Sequence, residues 1–327
     1  MPALTKVLLI GATGKLGQSV LKEILLQQER YEVGLLVRNP QKLPVDTKAK
    51  IFTADVLNNS IDSAIAWADV IVNCSGIVSY DKRDKSKIRS VNVEGVKNIV
   101  KFCFKYDKPL IHSSSAIAYG SSEKPFLFLE DTVINKDFKI YRGSYAESKH
   151  LADQIIIASG IHSIILRPGT MVSTLSKLYN FYAKGYIADL KGGASFALMD
   201  DVAKAYIAAI DLVQSQKSVH IFNLGGNNLT FSEVFSFFKT GTNKKPHMVS
   251  RQILNGLSIV NDYLLYPLLN RTIITRENYL TGNRFTYLDS SKAKQHLNYK
   301  ISSFEQSLQN LLVEEGGNIA YGSAIHA

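Results

Sequence analysis

The apolar run Val7-Leu8-Leu9-Ile10 has the length of a strand and stops on Gly11-Ala12-Thr13-Gly14-Lys15-Leu16-Gly17. Beyond that turn Leu16, Val20, Ile24 and Leu25 recur at helical spacing. A strand, a glycine-spaced turn and a helix, in that order, leave few folds open. Glycines let the backbone turn tightly and come close to a pyrophosphate. The helix N-terminus then offers free N–H groups and the positive end of its dipole to the phosphates. The spacing is G-x-x-G-x-x-G, and in this context it predicts dinucleotide binding through Gly11, Thr13, Gly14, Lys15, Leu16 and Gly17.

The alternation continues for about 170 residues. Strands are expected at Val33–Val37, Ile51–Ala54, Val70–Val72, Leu110–Ile111 and Ile164–Leu166, with helices over Ile88–Tyr106 and Tyr145–Ser159 between the later ones. Strands separated by helices imply an α/β fold, a doubly wound parallel sheet with helices on both faces. After Gly169 the rhythm loosens. Residues 1–172 read as a dinucleotide-binding core and 173–327 mainly as a smaller, mostly helical substrate lobe. Within the latter, 198–225 return to the core as a helix, Asp201–Val213, and a strand, His220–Leu224.

The end of the second strand bears on the choice of cofactor. An acidic residue there would bind a ribose 2′-hydroxyl, and an arginine would accommodate a 2′-phosphate. The strand ends Leu36-Val37-Arg38-Asn39, while Glu32 lies at its other end. Arg38, with Lys15 as a second cation, predicts a preference for NADP(H), NAD(H) remaining possible. Asp55-Val56 follows the third strand. Asp55 could accept from an adenine amino group and Val56 could pack near the ring, or Asp55 could serve as a turn cap.

Tyr145-Ala146-Glu147-Ser148-Lys149 puts a phenol and an amine at i and i+4, on one helix face. An ammonium near a phenol favours the phenolate, so the pair can move a proton in a carbonyl/alcohol interconversion. It opens the helix that follows a strand ending in Ser113-Ser114-Ser115. Ser115 is the candidate that would orient a substrate oxygen; Ser113 and Ser114 are rivals.

The composition closes off other classes. With 46% hydrophobic and 20% charged residues in 327, most of the chain should fold. Cys74 and Cys103 stand alone, which excludes a disulfide scaffold and a paired-cysteine zinc site and fits a reducing, cytoplasmic compartment. No metal site is expected. The net charge of +10 suits an anionic small molecule, an anionic membrane face or nucleic acid, or it is a solvated surface with no partner. No Lys/Arg block of nucleic-acid type occurs, so none is expected as a partner. The apolar stretch 253–269 carries Asn255, Asn261 and Asp262 at its centre, against a transmembrane span; a buried or surface-lying amphipathic helix is expected, with peripheral membrane contact left open. No signal peptide is visible, and the Gly- and Ala-rich tail 316–327 is expected to fray.

Taken together these motifs resemble the short-chain dehydrogenase/reductase superfamily, in its extended, NAD(P)-dependent epimerase/dehydratase-like branch. The resemblance spans almost the whole chain: GATGKLG at 11–17, Asp55-Val56, NCSG at 73–76, VNVEG at 91–95, SSSAIAYG at 113–120, YAESK at 145–149, LRPG at 166–169, MDDVAKAY at 199–206 and YLDSSKAKQHLNY at 287–299. It implies a Rossmann-type core, Tyr145 as catalytic acid/base, Lys149 on the nicotinamide ribose, Ser115 on the substrate oxygen and Asn92 in a proton relay. It further implies that Asn73, Ser75 and Gly76 line the cofactor, with Ser113, and that Pro168-Gly169 approach the nicotinamide. A homodimer through a helix pair is a family-level expectation.

Within the branch the residues discriminate. Ala116-Ile117 stand where 4,6-dehydratases carry Asp-Glu, and Ser144 where many epimerases have Pro before the tyrosine. Gly192 to Phe196 leading into Asp200-Asp201-Val202-Ala203 is similar to dihydroflavonol-reductase-like and 3β-hydroxysteroid-dehydrogenase-like members, although a Gly-Pro turn after Leu166-Arg167-Pro168 is missing. The expected activity is therefore an NADP(H)-dependent oxidoreductase acting on a fairly apolar small molecule. The alternatives are a sugar-nucleotide epimerase with tightly held cofactor and a non-catalytic cofactor-binding sensor or assembly factor.

Overall fold

The computed structural model describes residues 3–43, 48–239, 246–265 and 274–314, with side chains to residue 309. Seven parallel strands make the main sheet: β1 (Thr5–Ile10), β2 (Tyr31–Val37), β3 (Lys50–Thr53), β4 (Val70–Asn73), β5 (Leu110–Ser113), β7 (Ser163–Pro168) and β11 (Val219–Leu224). Their spatial order is β11-β7-β5-β4-β1-β2-β3. The register places Val7 beside Val33 on one side and Val70 on the other.

The continuous apolar character of β1 follows from burial on both faces. Val7 and Leu9 share a core with Val20 and Ile24 of helix α1 (Lys15–Leu25). Leu8 and Ile10 join the opposite core, formed with Ile65 of α2 (Asp62–Trp67). A helix beginning at α3 (Lys85–Arg89) runs through one π-helical turn, Ser90–Glu94, into α4 (Gly95–Lys105). Ile99 of α4 and Ile156 of α5 (Tyr145–Ser159) complete that second core. α7 (Met199–Ser215) lies on the α1 side.

The chain leaves β1 for β2 on one side and takes up β4 on the other. That reversal opens a crevice at the carboxyl ends of the strands, the place where open α/β sheets hold ligands. Gly11, Cys74 and Ser114 each follow directly on one of those ends.

The remainder is more mixed than helical periodicity suggests. β12 (Asn227–Thr230), β10 (Gly193–Ala197), β14 (Phe285–Leu288) and β6 (Leu127–Phe128) form a second sheet in that order, with β8 (Thr170–Met171) paired to β10. β9 (Tyr186–Ala188) pairs with β13 (His247–Val249). These strands are two to five residues long, too short for an alternating pattern to register, and Gly193-Ala194-Ser195 carries little strand signal. α6 (Ser176–Ala183), α8 (Phe231–Lys239), α9 (Arg251–Val260) and α10 (Arg276–Gly282) surround them, and Tyr182, Phe196, Val234 and Phe238 pack as a separate core. α11 (Ser291–Leu297) returns to β11, placing Ala293 and Leu297 in the main core.

The apolar stretch 253–269 is helical as far as a π-helical turn at Asn261–Leu265; its last four residues and the tail 316–327 lie outside the described residues. Among the described residues no helix is long and apolar enough to cross a membrane.

Candidate active site

The glycine turn is built by backbone contact. A Cβ on Gly17 would stand 2.1 Å from the Gly11 carbonyl oxygen, and one on Gly11, whose φ is +91°, would stand 2.6 Å from the Ser75 nitrogen. Both glycines are demanded by the protein's own packing. Gly14 is different: its Cβ would meet only the Gly11 oxygen, at an ordinary 3.5 Å, so the space above it is open. Gly14 is also the N-cap of α1 and provides no side chain to the free N–H groups of the first turn. An uncapped eleven-residue helix behind an open glycine fits a pyrophosphate, which would take those donors.

The far end of that cleft carries Arg38, largely exposed, with its guanidinium 3.9 Å from Asp55. Asp55 also accepts from the Leu57 backbone N–H at 3.0 Å, so it braces its own turn. Val56 is buried, and Gly95 presses on it closely enough that a Cβ there would lie 2.9 Å from Val56 Cγ2.

Asn73 and Asn92 organise the loop between them. Asn73 is fully buried, and its Oδ1 accepts from both the backbone N–H and the hydroxyl of Ser75, at 3.0 and 2.6 Å. Asn92 sits in the π-helical turn. Its Oδ1 accepts from the Ile77 N–H at 2.8 Å, and its Nδ2 donates to the Ile77 carbonyl and to Ser148 Oγ, each at 3.0 Å. Such turns widen the helix by one residue and recur at functional sites; here one aims an amide at a loop and at α5 together. A Cβ on Gly76 would be 3.4 Å from both Asn92 Oδ1 and Lys149 Nζ, so the loop, the π turn and α5 meet at Gly76.

Tyr145 owes its place to local sequence. Ser144 caps α5 by accepting from the Glu147 N–H at 3.0 Å, and the Glu147 carboxylate reaches back to the Gly143 N–H at 2.6 Å. This reciprocal cap makes Tyr145 the first helical residue, one turn ahead of Lys149. Both are buried. Lys149 Nζ donates to the Ser113 carbonyl at 2.6 Å, and burial pulls its pKa down to about 8.

The expectation that the amine lowers the phenol's pKa is corrected here. Burial pushes the Tyr145 phenol well above its ordinary value, the nearby Tyr80 adds to the rise, and a hydrogen bond with the Ser115 hydroxyl opposes it. The phenol therefore holds its proton in the cofactor-free chain. Of the three rival serines, Ser115 meets Tyr145, Ser113 supplies the carbonyl for Lys149, and the Ser114 hydroxyl is buried without a protein partner. Gly169 is required by β10, since a Cβ there would lie 2.3 Å from the Ser195 carbonyl oxygen; Pro168 ends β7 beside it.

Sequence reasoning gives no role to Asp153, Arg167 or His112, whereas Tyr80 is a candidate pocket-lining residue. Asp153, one turn after Lys149 on α5, forms a buried ion pair with Arg167 of β7, Nε to Oδ2 at 2.9 Å, and its charge favours the Lys149 ammonium. Arg167 stacks on Tyr119 at 4.3 Å. The i, i+4, i+8 spacing of Tyr145, Lys149 and Asp153 was the available signal. Tyr80 stands edge-on to Tyr145 with ring centroids 6.4 Å apart, from a loop with no periodic pattern. His112 is buried and kept neutral by desolvation, with Asn73 Nδ2 3.2 Å from its Nδ1.

An open glycine turn at a sheet reversal, with Ser113, Tyr145 and Lys149 close to the strand ends, is the arrangement of a Rossmann-type dinucleotide-binding protein. The chain belongs to the NAD(P)H-binding family, whose model matches residues 11–212. It is 23% identical over 321 residues to dTDP-4-dehydrorhamnose reductase from Aggregatibacter actinomycetemcomitans, covering 94% of this chain and 98% of that protein. Among solved structures it is similar to UDP-glucuronic acid 4-epimerase from Bacillus cereus in complex with UDP-glucuronic acid and NAD, at TM-score 0.72 and 18% identity, over 95% of this chain and 100% of that one. It is also similar to dTDP-glucose 4,6-dehydratase from Bacillus anthracis in complex with NAD, at TM-score 0.70 and 19% identity, over 96% and 97% of the two chains. At these identities the two structures establish the fold.

Proposed function

We propose that the chain is an NADP(H)-dependent reductase that interconverts a carbonyl and an alcohol on a fairly apolar small molecule. The observation that carries this reading is the buried pair on one face of α5: the Tyr145 phenol, and the Lys149 ammonium 6.0 Å from its ring centroid and donating to the Ser113 carbonyl at the carboxyl edge of the sheet. A nicotinamide held in this crevice would supply the hydride. Ser115 orients the substrate oxygen, and Tyr145 gives that oxygen its proton as the negative charge develops. Lys149 holds the ribose and keeps a positive charge beneath the site. Asn92 fixes α5 against the Ile77 loop through Ser148. The glycine turn and the first-turn N–H groups of α1 receive the pyrophosphate. Arg38, exposed where the adenosine half would lie, takes the 2′-phosphate.

Two experiments test this. Tyr145→Phe should lower NADPH-coupled turnover at least about a hundredfold while NADPH still binds; full activity would end the proposal. Arg38→Asp should weaken NADPH about tenfold or more relative to NADH, and unchanged discrimination would return the cofactor assignment to NAD(P)H.

A second reading, a sugar-nucleotide reductase or epimerase, is favoured by the named relatives, a dTDP-4-dehydrorhamnose reductase and a UDP-glucuronic acid epimerase. Cofactor accounting separates the possibilities. A reductase consumes NADPH in step with product and an epimerase shows no net consumption, while comparing apolar ketones with nucleotide-linked keto sugars assigns the substrate class.

A further inference from the structure

The helical stretch Arg251 to Leu265 is turned inside out. Its protein-facing positions are Leu254, Ser258 and Asn261, all buried, so two of the three are polar. The Arg276 guanidinium bonds to Asn255 and Ser258 on that same side. Its solvent-facing side holds Ile253, Ile259, Val260, Tyr263 and Leu264, with exposures from 42% to 71%, together with Gly256 and one polar residue, Gln252. Ile253, Gly256, Val260 and Tyr263 follow the spacing of one helix face. Met248 and Tyr186, on the β13–β9 pair just ahead of α9, are exposed as well. A soluble amphipathic helix places these two sides the other way round.

The bases beside this face, Lys82 and Arg251, are each paired with an acid, Asp262 and Asp189. The face presents no exposed carboxylate: the only acid in the stretch, Asp262, is 8% exposed, lies 3.4 Å from Lys82 Nζ and accepts from the Arg276 N–H. The Lys82 ammonium stands over the Tyr263 ring at 4.6 Å and is half exposed. Arg251, at the start of the helix, is paired to Asp189. A long basic side chain lying along an aromatic rim is the arrangement of a headgroup-level anchor. The chain carries +10 overall, which repels a second copy and is drawn to an anionic leaflet.

We infer that this face docks on an anionic lipid bilayer, with Val260, Tyr263, Leu264 and Ile253 entering the acyl boundary and Lys82 at the headgroups. Lys82, over the Tyr263 ring, lies two residues along the chain from Tyr80, whose ring is edge-on to that of Tyr145.

The test is sedimentation of the full chain with vesicles of equal parts phosphatidylcholine and phosphatidylglycerol, and with phosphatidylcholine vesicles alone. It reads binding and needs no substrate, so it stands apart from the test of the enzymatic reading. The wild type should pellet with the anionic vesicles, less so at high salt and weakly with neutral ones. The triple variant Val260→Ser, Tyr263→Ser, Leu264→Ser should lose at least about tenfold in partitioning. These positions are exposed, so the variant should keep its melting temperature and NADPH affinity. Absence of wild-type binding, or equal binding by the variant, overturns the inference. So does a wild-type dimer in solution that the variant dissociates while neither protein binds vesicles.

Discussion

Two glycines of the turn, Gly17 and Gly14, should fail in different ways when given a methyl group. In Gly17→Ala the new Cβ would sit 2.1 Å from the Gly11 carbonyl oxygen, where ordinary contact begins near 3.4 Å. The obstacle is backbone on both sides, so no rotamer relieves it and α1 must move away from β1. Forced displacement in a packed interior costs about 1–3 kcal/mol, often more. Alanine's better helix propensity offsets at most about 1 kcal/mol of that. A net loss of about 2 kcal/mol lowers the melting temperature by roughly 3 °C in a chain of 327 residues. In Gly14→Ala the Cβ meets only the same oxygen at 3.5 Å, and the φ of −84° suits any residue. That variant should melt within about 2 °C of the wild type. Its methyl group instead enters the open space before the α1 N–H groups, so NADPH affinity should fall about tenfold or more. Differential scanning fluorimetry and NADPH fluorescence titration read the two effects separately. A Gly17→Ala protein that melts with the wild type would refute the packing argument. A Gly14→Ala protein that binds NADPH normally would refute the placement of the pyrophosphate.

Arg167→Ala should destabilise by about 3–5 kcal/mol in chemical denaturation, because it strands the buried Asp153 carboxylate; a loss under 1 kcal/mol, on the scale of an exposed pair, would mean that water replaces the arginine. Lys149 titrates near pH 8 when folded and near 10.5 when free, so between those values the unfolded chain binds the extra proton and stability should rise with pH. Comparing Lys149→Met with the wild type across that window in the absence of cofactor isolates the slope, and parallel curves would exclude a depressed lysine. Asn92→Leu leaves the Ile77 N–H and carbonyl without their amide partner and should cost about 1–3 kcal/mol, read by urea unfolding. Stability equal to the wild type would show that the loop is held by other contacts.

Much of the candidate site was legible because it rests on local rules. The reciprocal cap of Ser144 and Glu147 is written in four residues, and it delivers Tyr145 and Lys149 to one face of α5. What stayed hidden depends on residues far apart in the chain. Ser115 could be separated from Ser113 and Ser114 only when the strand end was set against α5. The partnership of Asp153 with Arg167 spans a helix and a strand.

The sequence by itself determined the order of strand, glycine turn and helix, the two-sided burial of β1, and the alignment of phenol with amine, since each follows from backbone geometry within a few residues. Only the tertiary structure decided which side of α9 meets solvent, how the short strands of the second sheet register, and which way the phenol's pKa moves. Those outcomes depend on desolvation and on contacts made across the fold, and no local pattern encodes them.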